Sequence, residues 1–204
     1  MNKGTTFAYR VGTNVYINLT NRCSSACTFC LRQNGDSVGE AETLWLEHEP
    51  TAEEALQAIE IFDPDSYDEL VFCGYGEPTM AFDVLIQVAA EAKRRWNKTI
   101  RLTTNGQANL INKRDIVPQL VGLVDIVSIS LNSPNPQRYQ DLVCSQFGIE
   151  AFQALLDFAA ECAQLLPQVV LSTVETTLTA DEEALCAEIC TQIGATYRIR
   201  EWVD

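Results

Sequence analysis

Short apolar runs alternate with amphipathic helical segments along most of this chain. Strand followed by helix, repeated, is the pattern of parallel βαβ units. The predicted strands are Val15–Leu19, Glu69–Cys73, Ile100–Thr104, Val124–Leu131, Val169–Thr176 and Tyr197–Trp202. Two of the intervening helices begin with a capping box, Thr51 with Glu54 and Thr179 with Glu182, and Gly194 is placed to end the second.

The length of the chain decides which folds such units can form. Six units in 204 residues leave about 34 residues for each, close to the roughly 30 that a βαβ unit needs. A closed eight-stranded barrel typically takes about 250 residues, which is more than this chain has. We therefore expect one α/β domain over residues 1–204, built either as a partial (β/α)6 barrel or as a doubly wound sheet.

Polar side chains recur where the predicted strands end. Glu77 and Asn105 follow the second and third runs, Ser130 and Asn132 close the fourth, and Glu175 lies near the end of the fifth. Parallel α/β folds bind their ligands at the carboxyl ends of their strands. A single polar residue there would merely begin a loop, but several in register indicate a binding site at that edge.

Three cysteines, Cys23, Cys27 and Cys30, follow the first predicted strand with the spacing C-x3-C-x2-C. Three thiolates on one loop can ligate three irons of a 4Fe–4S cube and leave the fourth iron open, whereas ferredoxin-type clusters use four cysteines. A zinc site that adds His48 is one alternative. A redox pair of Cys27 and Cys30 is another, although it gives Cys23 no role. Inert buried cysteines are a third, but they would not cluster in a polar loop.

The cysteine loop, Asn18 to Cys30, resembles that of the radical S-adenosylmethionine (SAM) superfamily, which has the same spacing and an aromatic residue before the last cysteine. The resemblance implies that Cys23, Cys27 and Cys30 hold a 4Fe–4S cluster. It also implies that SAM binds the open iron through its amino and carboxylate groups, and that Phe29 packs near the adenine.

A second motif, Cys73–Thr79, resembles the Gly-Gly-Glu-Pro motif of the same superfamily, with Tyr75 in place of the first glycine. The resemblance implies that Gly76 and Glu77 hold the SAM amino group. Glycine permits a close approach of the backbone, and a carboxylate accepts charge-assisted hydrogen bonds from an ammonium group.

A third match, Leu102–Gly106, resembles the superfamily's Thr-Asn-Gly segment and places Asn105 at the cofactor. Taken alone, Asn105-Gly106 would be read as a plain turn. By the same resemblance, Ser130 and Asn132 stand where the ribose or the methionyl carboxylate of SAM is contacted.

The similarity narrows to the TatD-associated radical SAM proteins, a small family of roughly this length, and covers nearly the whole chain. The stretches that carry it are Asn18–Cys30, Asn34–Gly39, Leu44–Glu47, Val71–Thr79, Ser128–Pro134 and Arg198–Glu201. Membership implies the radical SAM fold, a 4Fe–4S cluster and SAM, but no known reaction, since the family is named for gene association with TatD nucleases. We expect a functional link to a TatD-family nuclease and an electron donor such as flavodoxin or ferredoxin.

Three charged residues near the end of the chain, Glu175, Arg198 and Arg200, are candidates for the same pocket. Arg198 and Arg200 share one side of a predicted strand, because alternate residues face the same way. Arginine pairs bidentately with carboxylate, so the pair could bind the SAM carboxylate or an acidic substrate. The alternative is a solvated edge strand.

The charge balance and the apolar pattern limit the partners. Acidic residues outnumber basic ones by 28 to 14, and the resulting net charge of −14 repels phosphate backbones, so nucleic acid is not an expected partner. No opening stretch reads as a signal peptide, and no run approaches the roughly 18 apolar residues of a membrane span. We expect a cytoplasmic protein with reduced thiols and no membrane partner.

The sequence therefore predicts a radical SAM enzyme. It would cleave SAM reductively to methionine and a 5′-deoxyadenosyl radical, which abstracts hydrogen from an unidentified substrate. Alternatives are an enzyme like the glycyl-radical activases, acting on a protein, and an RNA-modifying methyltransferase, against which the acidic charge weighs. Outside enzymes, a zinc-binding module remains.

Overall fold

One sheet of seven strands organises the computed structural model, which describes residues 3–33, 35, 39 and 41–201. The strands are β1 (Ala8–Val11), β2 (Asn14–Ile17), β3 (Glu69–Phe72), β4 (Thr99–Thr104), β5 (Ile126–Ser130), β6 (Gln168–Val174) and β7 (Thr196–Arg200). They pair in the order of the sequence. Every pair is parallel except β1 with β2, which is antiparallel.

The α-helices lie between the strands, as the alternation predicts. They are α1 (Ala52–Glu60), α2 (Phe82–Trp96), α3 (Ala108–Asn112), α4 (Val117–Leu120), α5 (Pro136–Val143), α6 (Glu150–Leu165) and α7 (Ala180–Ile193). Both predicted capping boxes are present, at the starts of α1 and α7. Gly194 ends α7 in the left-handed conformation, with a φ of 83°.

The strand order excludes the doubly wound alternative. A doubly wound sheet reverses its winding at a switch point, whereas each parallel strand here leads to the next one along. Because parallel crossovers are right-handed, this order keeps the helices on one face. The fold is the predicted partial barrel, with its helices outside.

The sheet curves far enough to bring its distant strands together. Burial raises the pKa of Tyr16 on β2. The positive charge of Arg198 on β7 is one of the nearby charges that act on this pKa, and it lowers it. In a flat sheet these strands would be about 24 Å apart, at about 4.8 Å per spacing. Charges in salt solution are largely screened beyond about 10 Å, so the interaction indicates that β7 lies nearer to β2 than a flat sheet would allow.

Alternate residues of each strand face opposite sides of the sheet, one side packed against the helices and the other facing the inside of the barrel. Phe72, Leu102 and Ile129 are fully buried against the helices in the main core. The alternate residues line the inside of the barrel, which we call the inner face. It carries Tyr16, Glu69, Val71, Arg101, Ser128, Ser130, Ser172, Arg198 and Arg200.

The six predicted strands correspond to β2–β7, and the seventh strand, β1, was not predicted. Trp202 and residues 34, 36, 37 and 38 of the family resemblance lie outside the described residues. Among the described helices, none is both long enough and apolar enough to cross a lipid bilayer.

Candidate active site

The cysteine loop, Asn18 to Cys30, leaves the carboxyl end of β2 and is held by the end of α5. The backbone N–H of Ala26 donates to the carbonyl of Val143 at 3.1 Å, and that of Thr28 donates to the carbonyl of Leu142 at 2.9 Å. The loop is therefore a fixed part of the carboxyl edge of the sheet.

The three thiols of this loop form a donor set that fits an iron–sulfur cluster. Burial, together with the charges of Cys30 and Cys23, raises the pKa of Cys27 to about 12, so the three thiols lie within electrostatic reach of one another. Thiolates crowded in this way repel one another, and a cationic centre relieves the repulsion. No three cysteine, histidine or carboxylate side chains in the described part of the chain are gathered around one point, so the fit rests on the chemistry of the three thiols and not on their geometry.

Gly76 lies where the second motif presses against the cysteine loop. A Cβ atom added at Gly76 would lie 2.2 Å from the carbonyl oxygen of Thr20 and 2.6 Å from that of Arg22. The next residue, Glu77, donates its backbone N–H to the same Arg22 carbonyl at 2.8 Å. Only glycine allows the two backbones to approach this closely.

Glu77 is a buried carboxylate that joins two strand ends. Its Oε1 accepts hydrogen bonds from the hydroxyls of Thr104 at 2.7 Å and Thr79 at 2.8 Å, and its Oε2 accepts from the N–H of Asn105 at 2.7 Å. Burial raises the pKa of Glu77, against the lowering effect of these bonds. The side chain orders the ends of β3 and β4, and its contact with the SAM amino group stays a prediction.

A network of polar side chains ties Asn105 to the cysteine loop. Asn105 Nδ2 donates to the hydroxyl of Ser24 at 2.8 Å, and Ser24 donates to Gln107 Oε1 at 2.8 Å. Gln107 Nε2 in turn donates to the hydroxyl of Tyr139 at 2.9 Å. The sequence reasoning did not single out Ser24, Gln107 or Tyr139. Gln107 could have been found as a further polar residue beyond the third predicted strand.

Ser130 and Asn132 end β5 beside an arginine of β7. Arg200 places a terminal guanidinium nitrogen 3.5 Å from the hydroxyl of Ser130 and 3.5 Å from Asn132 Oδ1. The Nε of Arg200 is buried and has no hydrogen-bond partner within residues 3–33, 35, 39 and 41–201. The structure thus brings together three predicted site residues around an unsatisfied polar atom.

The remaining predicted residues lie further apart. Glu175 is exposed, and its backbone N–H donates to the carbonyl of Arg200 at 2.8 Å. Arg198 is exposed at the open side of the inner face. Phe29 is partly buried and packs on the helix-side core, so its contact with adenine stays a prediction.

His48, the fourth ligand of the zinc alternative, is engaged elsewhere. Its Nε2 lies 3.0 Å from Oε1 of Glu54 in the α1 capping box, and its ring meets the edge of Phe7 at 5.3 Å. This arrangement does not support a Cys3His zinc site.

Comparisons with known proteins agree with this geometry. A family model described as the radical SAM superfamily matches residues 17–174. Molybdenum cofactor biosynthesis protein 1 of Bos taurus is 32% identical over 129 residues, which are 62% of this chain and 19% of that protein. The GTP 3′,8-cyclase of Aquifex aeolicus is 28% identical over 190 residues, which are 92% of this chain and 56% of the cyclase. The chain thus spans about a fifth of one relative and about half of the other.

Solved structures share the fold. SuiB of Streptococcus suis, bound to its precursor peptide SuiA, superposes with a TM-score of 0.72 at 15% identity, over 94% of this chain and 39% of SuiB. SuiB bound to S-adenosylmethionine superposes with a TM-score of 0.68 at 14% identity, over 93% of this chain and 38% of that one. The family match covers β3 to β6, the cysteine loop and the second motif. This chain therefore belongs to the radical SAM superfamily, whose enzymes use a 4Fe–4S cluster and S-adenosylmethionine.

Proposed function

We propose that this enzyme cleaves SAM reductively to methionine and a 5′-deoxyadenosyl radical, which takes a hydrogen atom from a substrate inside the open barrel. The observation that carries the proposal is the meeting of three motifs at one edge of the sheet. Gly76 packs on the backbone of the cysteine loop, Glu77 binds the backbone of Asn105, and Asn105 binds Ser24 within the loop.

Each residue group has a proposed role. Cys23, Cys27 and Cys30 hold the cluster, which when bound supplies the electron for the cleavage. Gly76 and Glu77 position the amino group of SAM. The other proposed contacts are Asn105, Ser130 and Asn132 with SAM, Phe29 with its adenine, and Glu175 at the rim of the pocket.

The reaction on the substrate has a second candidate in the cyclisation of GTP. The identity to the cyclase extends over most of this chain, which favours a nucleotide substrate. Incubation of the reduced enzyme with SAM and GTP, followed by mass spectrometry for the cyclised nucleotide, tests this candidate. Action on a protein, as by a glycyl-radical activase, is the remaining alternative and would leave a protein-bound radical detectable by electron paramagnetic resonance.

The partners are proposals as well. We propose a small electron carrier of the flavodoxin or ferredoxin type as the reductant, and a functional link to a TatD-family nuclease, on the family resemblance of the sequence. A reduced flavodoxin that replaces dithionite in the cleavage assay would support the first. Loss of a shared phenotype on deletion of either gene would support the second.

Anaerobic reconstitution tests the proposed function directly. We expect a brown protein that forms 5′-deoxyadenosine from SAM under dithionite, and loss of both properties in Cys23→Ala, Cys27→Ala and Cys30→Ala. Each substitution leaves one iron without a protein ligand. Cys144→Ala is the matched control, because Cys144 is exposed beside the loop and outside the motif. A colourless zinc protein, or a loop variant with a full cluster, would refute the assignment.

A further inference from the structure

The inner face differs in charge from the rest of the molecule. Among the described strand residues, it carries one carboxylate, Glu69, and three guanidinium groups, Arg101, Arg198 and Arg200. The whole chain, in contrast, has twice as many acidic as basic residues. A concentration of positive charge on one face of an acidic protein is a feature that attracts anions.

One of these arginines is already neutralised. Arg101 donates from Nε to Glu69 Oε2 at 2.7 Å and from a terminal nitrogen to Oε1 at 2.8 Å, a bidentate pair between neighbouring strands. Such a pair satisfies both groups and leaves little capacity for a ligand. The positive charge that remains on the inner face therefore belongs to Arg198 and Arg200.

These two arginines have no carboxylate partner among the described residues. Neither takes part in an ion pair, and the buried Nε of Arg200 is unsatisfied. Alternate positions on a strand are about 6.7 Å apart, so the two like charges oppose each other. In agreement, burial lowers the pKa of Arg200, and the charge of Arg198 lowers it further. Burial of the Arg200 guanidinium without a carboxylate partner costs free energy, which a bound anion would offset.

Arg200 and Arg198 also lie at different distances from the proposed cofactor-binding residues. Arg200 lies beside Ser130 and Asn132, and the charges of Cys73 and of Cys27 in the cysteine loop act on its pKa, in the raising direction. Arg198 is one pleat further from the loop, and its charge acts on Tyr16 on the opposite side of the barrel. Arg198 is therefore the more exposed of the two arginines and lies further from the proposed SAM contacts of Ser130 and Asn132.

We propose that Arg198 and Arg200 bind a carboxylate or phosphate group of the substrate, so that the enzyme selects an anionic small molecule. The proposal rests on the proposed function and names its substrate class. The methionyl carboxylate of SAM is also an anion that arginine can bind. The experiment must therefore distinguish binding of the substrate from binding of SAM.

The test is calorimetric titration of the reconstituted, SAM-loaded enzyme with inorganic pyrophosphate and with citrate at constant ionic strength. We expect at least one of these anions to bind the wild type, and Arg198→Gln to weaken that binding at least tenfold. Arg198→Lys should keep most of the affinity. Arg138→Gln, which removes an exposed arginine of α5, is the matched control and should change nothing.

A separate titration with SAM identifies the source of the anion. If the substrate provides it, the dissociation constant of SAM should change less than twofold in Arg198→Gln. Failure of both anions to bind the wild type would overturn the proposal. So would equal binding by Arg198→Gln and Arg138→Gln, or a tenfold loss of SAM affinity in Arg198→Gln. Failure of the proposed function would appear differently, as wild-type enzyme that forms no 5′-deoxyadenosine.

Discussion

At the scale of single residues, the site depends on two neighbouring residues, one with no side chain and one with a buried carboxylate. Gly76 contributes the absence of a Cβ atom, since the carbonyl oxygens of Thr20 and Arg22 occupy the space where one would lie. Glu77 contributes a carboxylate whose Oε1 accepts from Thr79 and Thr104 and whose Oε2 accepts one hydrogen bond, from the N–H of Asn105 just after β4. One residue permits the approach of two backbones, and the next fixes the strand end beside it.

Gly76→Ala should destabilise the protein and prevent cluster binding. The added methyl group would overlap two backbone oxygens, which cannot move aside as a flexible side chain can. We expect a loss of more than about 1 kcal/mol in the free energy of unfolding, measured by urea denaturation, and a low iron content after reconstitution. Gly35→Ala is the control, because a Cβ at Gly35 meets no atom of the described residues within 4 Å. Equal iron contents in the two variants would contradict the packing argument.

Glu77→Gln should weaken SAM binding while the cluster remains. The amide cannot accept from all the donors that now converge on the carboxylate, and it removes the negative charge offered to an ammonium group. Loss of a hydrogen bond to a charged group costs about 1.5–3 kcal/mol, so we expect a decrease in affinity of tenfold or more. Equilibrium dialysis with labelled SAM measures it, with Glu188→Gln on exposed α7 as the control. An unchanged dissociation constant would leave Glu77 a purely structural role.

At the scale of elements, hydrophobic periodicity predicted the strands well and their ends less well. The predicted runs Val15–Leu19 and Glu69–Cys73 extend past the observed ends of β2 and β3. Leu19 is still buried, so its apolar character persists after backbone pairing has ended. Side-chain burial and backbone pairing end at different residues. An apolar sequence pattern indicates where burial ends, but not where the strand stops pairing.

Strand β1 could have been predicted from its turn. Val11 pairs with Asn14 across the two-residue connection Gly12-Thr13, and Gly12 has a φ of 58°. Glycine between two runs of alternating apolar residues is a hairpin signal. The run Ala8–Val11 was overlooked because four residues with a central arginine give a weak apolar pattern.

The capping box of α1 should make stability depend on pH in the acid range. The backbone N–H of Thr51, followed by His48, holds the pKa of Glu54 down at about 2. A carboxyl group with a lowered pKa in the folded state contributes stability above its ordinary pKa near 4.5, and that contribution is lost as the pH falls toward 2. We expect Glu54→Gln to be less stable than the wild type at pH 7 and to converge with it toward pH 2.

Urea denaturation at pH 7, 4 and 3 measures this difference. Glu53→Gln is the matched control, since Glu53 lies in the same first turn but outside the capping box. A stability difference for Glu54→Gln that is the same at all three pH values would contradict the linkage.

At the scale of the whole molecule, motif spacing singled out residues that the structure brings to one edge of the sheet, but not the contacts that support them. The cysteine loop, Glu77 and Asn105 were proposed from the sequence because each follows an apolar run, and their binding roles stay predictions. The support from α5 was not found, because hydrogen bonds between Thr28 and Leu142 join residues 114 positions apart. Periodicity describes neighbours along the chain, and such a contact exists only after the barrel has curved.

One cluster per chain is the expectation for the whole molecule, hence about four irons. Of the other five cysteines, Cys162, Cys186 and Cys190 are buried in the core, Cys73 is partly buried, and Cys144 is exposed. Replacing Cys186 and Cys190 together by Ala should leave the iron content unchanged and cost only core packing. Colorimetric iron analysis would refute this if about eight irons in the wild type fell to about four in the double variant.

The long-range support of the cysteine loop has a consequence for the order of biosynthesis. The loop leaves the ribosome early, but the carbonyl of Leu142 that holds Thr28 is made 114 residues later. At synthesis rates of about 5–20 residues per second, the loop waits roughly 6–23 seconds for its partner. During that interval the loop lacks the hydrogen bonds that the end of α5 supplies. We therefore expect stable cluster insertion only after α5 has been made, when the chain already contains β5.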